Sequence, residues 1–147
     1  MISSFNKNSE DCTLDKALNE KINKLCSETK PQISALILKI DKNKKLIILD
    51  QELINCSIDD IKDTLSETLP RYIIMSYILD YPDGRKGFPV FLLFVSPSGI
   101  KMELSVQYSY NLKTVSALGK FTRVITLCNI DDFSKEWLDK ELFRSKT

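Results

Sequence analysis

Two stretches of this chain are apolar at nearly every consecutive position. Residues 33–40 read Ile-Ser-Ala-Leu-Ile-Leu-Lys-Ile, and residues 90–95 read Val-Phe-Leu-Leu-Phe-Val with no polar side chain. Both fall far short of the roughly 18 apolar residues of a membrane-spanning helix. Each is rich in branched or aromatic side chains next to turn formers, which is the signature of a β-strand. A strand sends successive side chains to opposite faces, so a strand that is apolar throughout needs cover on both sides. A sheet flanked by helices follows, and a chain of 147 residues that is 43% apolar can bury one such core.

The remaining pattern supplies the flanking elements. Leu14, Ala17, Leu18, Ile22 and Leu25 recur at helical spacing, with Asp11 or Thr13 as the expected cap. After Pro31 comes the first apolar strand. Asp41-Lys42-Asn43-Lys44 is turn chemistry leading to a second strand over 46–49, so an antiparallel hairpin is expected, with Lys42, Lys44 and Lys45 at a solvated tip. Ser57-Ile58-Asp59-Asp60 has capping-box spacing, and Ile58, Ile61 and Leu65 give the short helix after it one apolar stripe before Pro70.

A strand is expected over 72–79, ending at the turn Tyr81-Pro82-Asp83-Gly84, and the strand over 90–95 ends at Ser96-Pro97-Ser98-Gly99. Residues 104–112 alternate apolar and polar like a strand, yet the segment also places Leu104, Tyr108, Leu112 and Val115 on one helical face. Periodicity alone leaves both readings open. Residues 124–127 are a last strand, and Asp131 or Asp132 is expected to open a terminal helix with Ile130, Phe133, Trp137 and Leu138 on one side. The implied class is α+β, a single domain with a central mixed sheet between helices. The polar stretch 1–10 is expected to be a flexible tail and 11–147 the folded domain.

The chain contains no histidine. Ser-His-Asp and Cys-His catalysis, histidine-ligated metal and imidazole pH sensing are therefore excluded. Cys12, Cys26, Cys56 and Cys128 contain no C-x-x-C pair, a poor framework for zinc or disulfides, which fits a reducing compartment. Cys26 and Cys128 border apolar stretches and are expected to behave as small buried hydrophobes. Four glycines, at 84, 87, 99 and 119, cannot form a Walker or Rossmann phosphate loop.

The pairs Asp59-Asp60 and Asp131-Asp132 sit where helix N-termini favour negative charge, so capping explains them better than acid–base chemistry. Tyr72, Tyr77, Phe91 and Phe94 lie in strand runs and read as core rather than base-stacking residues. A net charge of +1 gives no bulk attraction to nucleic acid or membrane. With no apolar leader in the first residues, the expectation is a soluble, cytoplasmic, monomeric binding module without cofactor or metal.

Residues 35–53, Ala-Leu-Ile-Leu-Lys-Ile-Asp-Lys-Asn-Lys-Lys-Leu-Ile-Ile-Leu-Asp-Gln-Glu-Leu, carry a resemblance. It extends through Pro70-Arg71-Tyr72 with Ser76-Tyr77, Asp83-Gly84-Arg85 with Pro89 and Ser96-Pro97, and Glu136-Trp137-Leu138. In that order and spacing the chain resembles the actin-depolymerising factor/cofilin homology family, in its glia maturation factor branch, from about Leu18 to Phe143. The resemblance implies a long, kinked helix on the sheet over about 101–120, which sets aside the strand reading of 104–112. Leu104, Tyr108, Leu112 and Val115 would then face the sheet, and Met102, Val106, Ser109 and Lys113 a partner.

Cofilins that bind actin resemble one another in a basic pair near the start of this helix. The matching positions here are Glu103 and Ser105. An acidic and a neutral residue there favour the glia maturation factor branch, which the resemblance links to the actin-related protein 2/3 complex, inhibition of nucleation and debranching of filaments. The partner-binding residues implied are Lys24, Lys101, Met102, Glu103, Val106, Gln107, Ser109 and Lys113, with a second surface at Asp83, Arg85 and the terminal helix. The first helix departs from the family in its basic cluster, which reads Lys24-Leu25-Cys26-Ser27-Glu28-Thr29-Lys30. Ser3 and Ser4 resemble, in position, a regulatory phosphorylation site near the cofilin N-terminus. The competing reading is a cofilin-type protein that binds actin itself, with Lys101 and Lys113 compensating for the missing pair.

Overall fold

A computed structural model describes residues 12–28, 30–119 and 121–143. The stretch 1–10 with Ser3 and Ser4, the proposed cap Asp11, and Lys120 lie outside the described residues. In chain order the elements are β1 (Thr13–Leu14), α1 (Lys16–Ser27), β2 (Ser34–Asp41), β3 (Leu46–Leu53), α2 (Ile58–Lys62) and β4 (Arg71–Ser76). They continue with β5 (Leu79–Asp80), β6 (Lys86–Gly87), β7 (Val90–Val95), α3 (Met102–Ser116), β8 (Val124–Leu127), a 3₁₀ turn (Ile130–Asp132) and α4 (Lys135–Phe143).

Six strands form one mixed sheet in the order β1-β3-β2-β4-β7-β8. The central pairings are antiparallel, while β1 on β3 and β8 on β7 are parallel. Period two sorts the strand residues cleanly between two cores. Ala35, Ile37, Ile73, Met75, Phe91, Leu93 and Val95 face a layer closed by Ile61 of α2 and by Phe133, Leu138 and Leu142 of the C-terminal segment. Leu36, Leu38, Ile40, Tyr72, Ile74, Leu92 and Phe94 face the opposite layer, closed by Leu18 and Ile22 of α1 and by Tyr108 and Val115 of α3. This is the double cover that the apolar runs demand, and all six residues of β7 are buried.

The expected hairpin is present, with Asp41 Oδ1 accepting from the backbone N–H groups of Asn43 and Lys44 at its tip. Strand β3 runs four residues beyond the expected 46–49 because the apolar strand β2 needs a partner along its whole length. The register slips between Ile37 and Leu38, so Asp50 is the extra residue of a bulge on β3. The Asp50 carboxylate is 3.2 Å from the Arg71 guanidinium and 3.4 Å from Lys39 Nζ. The Ser57–Asp60 capping box is closed by reciprocal hydrogen bonds of 3.0 Å.

Several boundaries differ from expectation. Leu14 does not open α1; it pairs with Ile47 as part of β1, and Asp15 is the N-cap, without a side-chain cap bond. The strand expected over 72–79 ends at Ser76. Tyr77 N still donates to Pro89 O, but Pro89 has no N–H with which to continue the ladder, and residues 79–80 pair instead with 86–87 in a separate ribbon. The ambiguous segment is helical, in one run of 15 residues that stops at Ser116 rather than near 120. Asp131 and Asp132 lie in the 3₁₀ turn, and α4 is capped instead by Ser134, whose Oγ accepts from Trp137 N. Cys128 is exposed and Cys26 half-buried, so neither is a buried core thiol.

Candidate protein-binding surface

Helix α3 is fastened to the sheet chiefly through Tyr108. Its hydroxyl accepts the Ile40 N–H at 2.9 Å, and its carbonyl accepts the Tyr72 hydroxyl at 2.5 Å. The Tyr72 and Tyr108 rings pack at 5.3 Å between centroids. Burial pushes both phenols above the ordinary tyrosine range, so both stay neutral at physiological pH. One turn further on, buried Asn111 donates to Gln107 O at 2.9 Å and accepts the Cys12 N–H at 3.0 Å. This second bond ties the start of the described chain to α3, an anchor that the apolar pattern does not reveal because a polar residue carries it.

With Tyr108 and Val115 buried and Leu104 and Leu112 packed against the same core, the opposite side of α3 faces outward. Met102 is 81% exposed and Val106 52%, one turn apart. Lys101, Glu103, Ser109 and Lys113 are also exposed, and Ser105 is half-buried. The Lys113 ammonium lies 4.2 Å from the centre of the Tyr110 ring, a cation–π contact along the helix. Gln107 departs from the expected outward set: it is 8% exposed and belongs to the buried part of the helix. Lys42, on the β2–β3 hairpin, forms a shallow recess with Met102, Glu103, Val106 and Gln107. Sequence periodicity could not supply this neighbour, because the hairpin is distant along the chain.

Lys24 is exposed in the last turn of α1. That end of α1 abuts the chain just after α3, where a Cβ built on Gly119 would lie 3.0 Å from Cys26 Sγ. Lys24 therefore stands towards the C-terminal end of α3, whereas Met102 and Glu103 stand at its N-terminal end beside Lys42. A cavity of about 200 Å³ next to Lys24 is lined by Lys21, Lys24, Leu25, Leu36, Glu52 and Ile54 among others, and the Lys21–Glu52 ion pair of 3.0 Å closes part of its wall.

Asp83 and Arg85 lie elsewhere, on the β5–β6 turn, where they pair with each other at 2.7 Å. The Arg85 guanidinium also sits 5.0 Å from the centre of the Tyr81 ring, and Tyr81 meets Phe143 of α4 edge to face at 5.6 Å. This contact joins the turn to the terminal helix. Helix α4 is held in turn by the Tyr77 hydroxyl, which donates to Asp139 Oδ1 at 2.7 Å. Burial and the neighbouring Asp139 carboxylate push the Tyr77 phenol up. Tyr81 packs with the core opposite to that of α3, so the candidate residues fall on two separate surfaces.

Among the described residues no group of three or more Cys, Asp or Glu could hold a metal ion, and no helix is long and apolar enough to cross a membrane. What the surface offers is a rigidly seated helix with an exposed apolar pair, suited to burial against another protein.

Comparison with known proteins places this arrangement. Residues 11–143 match the family model described as cofilin/tropomyosin-type actin-binding protein. Human glia maturation factor beta is 36% identical over 131 residues, covering 89% of this chain and 92% of that protein. The glia maturation factor of Drosophila melanogaster is 29% identical, with 89% and 95% covered. The solution structure of glia maturation factor from Caenorhabditis elegans superimposes with a TM-score of 0.76 at 26% identity, covering 89% of this chain and 95% of that one.

Proposed function

Because this chain belongs to the cofilin/tropomyosin-type actin-binding family and, within it, to the glia maturation factors, we propose that it regulates branched actin by binding the actin-related protein 2/3 complex. Proteins of this family are actin regulators rather than enzymes, and the chain is an actin-regulatory protein of the glia maturation factor type. The observation that carries the finer reading is the outward face of α3. Met102 and Val106 expose apolar surface beside Glu103, an acidic residue where actin-binding cofilins carry a base.

In this reading Lys101, Met102, Glu103, Val106, Ser109 and Lys113 of α3, with Lys24 at the end of α1, enter a cleft of an actin-related subunit. Asp83, Arg85 and α4 meet a second subunit or the daughter filament. No covalent step is involved. The protein binds the separated complex more tightly than the branch junction, and that difference in affinity shifts the equilibrium towards debranching and away from nucleation. It acts as a cytoplasmic monomer without cofactor.

Single-filament microscopy of preformed branches, run beside cosedimentation with unbranched filaments, tests this. Faster branch loss without filament binding is expected, whereas stoichiometric binding to unbranched filaments would place the chain functionally with the cofilins. The double variant Met102→Asp/Val106→Asp should lose debranching while keeping its fold, because both side chains are exposed. Full activity in that variant would rule out the α3 face.

A further inference from the structure

Among the described residues, Gln107 alone has a buried side-chain acceptor left unsatisfied. Its Oε1 is buried and has no hydrogen-bond partner, unlike every other buried side-chain polar atom among the described residues. Such an orphan disfavours the free state, because the oxygen has lost water and gained nothing in return. Gln107 also lines the recess formed with Lys42, Met102, Glu103 and Val106. The torsion about Cγ–Cδ that orients the amide is broad and soft, so a small turn can bring Oε1 to a group seated in that recess.

Glu103 stands one turn before Gln107 on the same helix and makes no ion pair among the described residues, nor does Lys42, which lines the same recess. Two acceptors a turn apart, one of them anionic, with an apolar lip of Met102 and Val106 beside them, match one kind of group closely. A guanidinium carries five donors in a planar fork on an apolar stem. Lys42, a cation lining the same recess, disfavours a second cation beside itself and leaves Glu103 and Gln107 as the acceptors for it.

We infer that Gln107 is a specificity-determining acceptor that, with Glu103, receives an arginine of the protein partner. Its oxygen, buried without a partner in the free protein, gains a charge-assisted hydrogen bond in the complex. This inference rests on the reading of α3 as the partner-binding face and adds the chemistry of the group bound there. An apolar residue at 107 removes the orphan from the free protein and the acceptor from the complex, so stability and affinity should move in opposite directions.

The test compares the full chain with Gln107→Met and Glu103→Gln, measuring denaturant midpoints and affinity for the actin-related protein 2/3 complex. For Gln107→Met the expected result is an unchanged or higher midpoint with affinity lower by about tenfold or more, the usual effect of losing a hydrogen bond to a charged group. Glu103→Gln should also weaken binding and flatten its salt dependence. If the wild type binds and Gln107→Met binds as tightly, the inference is overturned while the proposed function stands.

If the wild type does not bind the complex, the proposed function fails, and titration with N-acetylarginine amide decides the inference separately. Saturable shifts of the Gln107 side-chain amide signals, lost in Glu103→Gln, support a guanidinium site. Their absence, or equal shifts with the norleucine analogue, overturns it.

Discussion

Replacing Tyr108 by Phe removes one oxygen atom from the seat of α3 and leaves the ring in place. The hydroxyl accepts the Ile40 N–H at 2.9 Å, and both residues are buried. On that side of β2 the pairing with β4 ends at Leu38 opposite Tyr72, so no strand carbonyl stands ready to take the Ile40 N–H. The variant therefore leaves a buried donor unsatisfied, at a cost of about 1–3 kcal/mol, without creating a cavity. In a domain of this size each kcal/mol lowers the Tm by about 2–4 °C. Tyr72→Phe is the internal comparison. It deletes the donor to the Tyr108 carbonyl, but that carbonyl lies inside α3 and keeps its helical partner, so the loss should be smaller, about 0.5–1.5 kcal/mol. Urea denaturation with a common m-value measures both, and hydrogen exchange at the Ile40 amide reports the bond directly. A Tyr108→Phe loss below about 0.5 kcal/mol with Ile40 protection intact would refute the assignment of this hydroxyl as the anchor.

Other outcomes follow from the same contacts. Ser57→Ala removes the Oγ that accepts the Asp60 N–H, while the N–H of residue 57 can still donate to the Asp60 carboxylate; it should destabilise by about 1 kcal/mol in the same denaturation assay, an unchanged midpoint counting against it. Tyr72, Tyr77 and Tyr108 have folded-state pKa values raised above the ordinary tyrosine value of about 10, so the folded state keeps protons that the unfolded state releases. The stability they contribute is full below about pH 10 and is lost as the pH rises above it. Their phenolate absorbance change should accordingly appear together with unfolding; independent ionisation in the folded protein would contradict the burial. Cys56 is half-buried, its thiol pushed up by burial and by Asp60, while Cys128 is exposed, so a disulfide reagent at mildly alkaline pH should modify Cys128 first by mass spectrometry.

The layering is legible from the residues alone. Residues 33–40 and 90–95, apolar in both phases of the two-residue repeat, admit no arrangement except a sheet covered on both faces, and the helical stripes at 18–25 and 133–138 supply cover. The capping box at Ser57 and the hairpin at Asp41 were equally legible, because a few adjacent residues close those contacts. On the candidate surface, Met102, Val106 and Ser109 were assigned to the outer face of α3 from helical spacing once the family resemblance had made the segment a helix.

The remaining features depend on contacts between distant parts of the chain. Residues 104–112 fit both periods; they are helical where β7 and β8 lie parallel, because a parallel pair needs a crossover and this segment is the chain that makes it. Asp50, Gln51 and Glu52 join a strand despite their polarity because β2 requires a partner along its length. Leu14 leaves the helical stripe to pair with Ile47, and β4 stops where Pro89 cannot donate. Gln107 and Asn111 look from spacing alone like ordinary surface polar residues, yet one carries a buried orphan and the other ties α3 to Cys12. Periodicity records which residues avoid water. It cannot record where a distant backbone group will need a hydrogen-bond partner, since that need exists only once the sheet has formed.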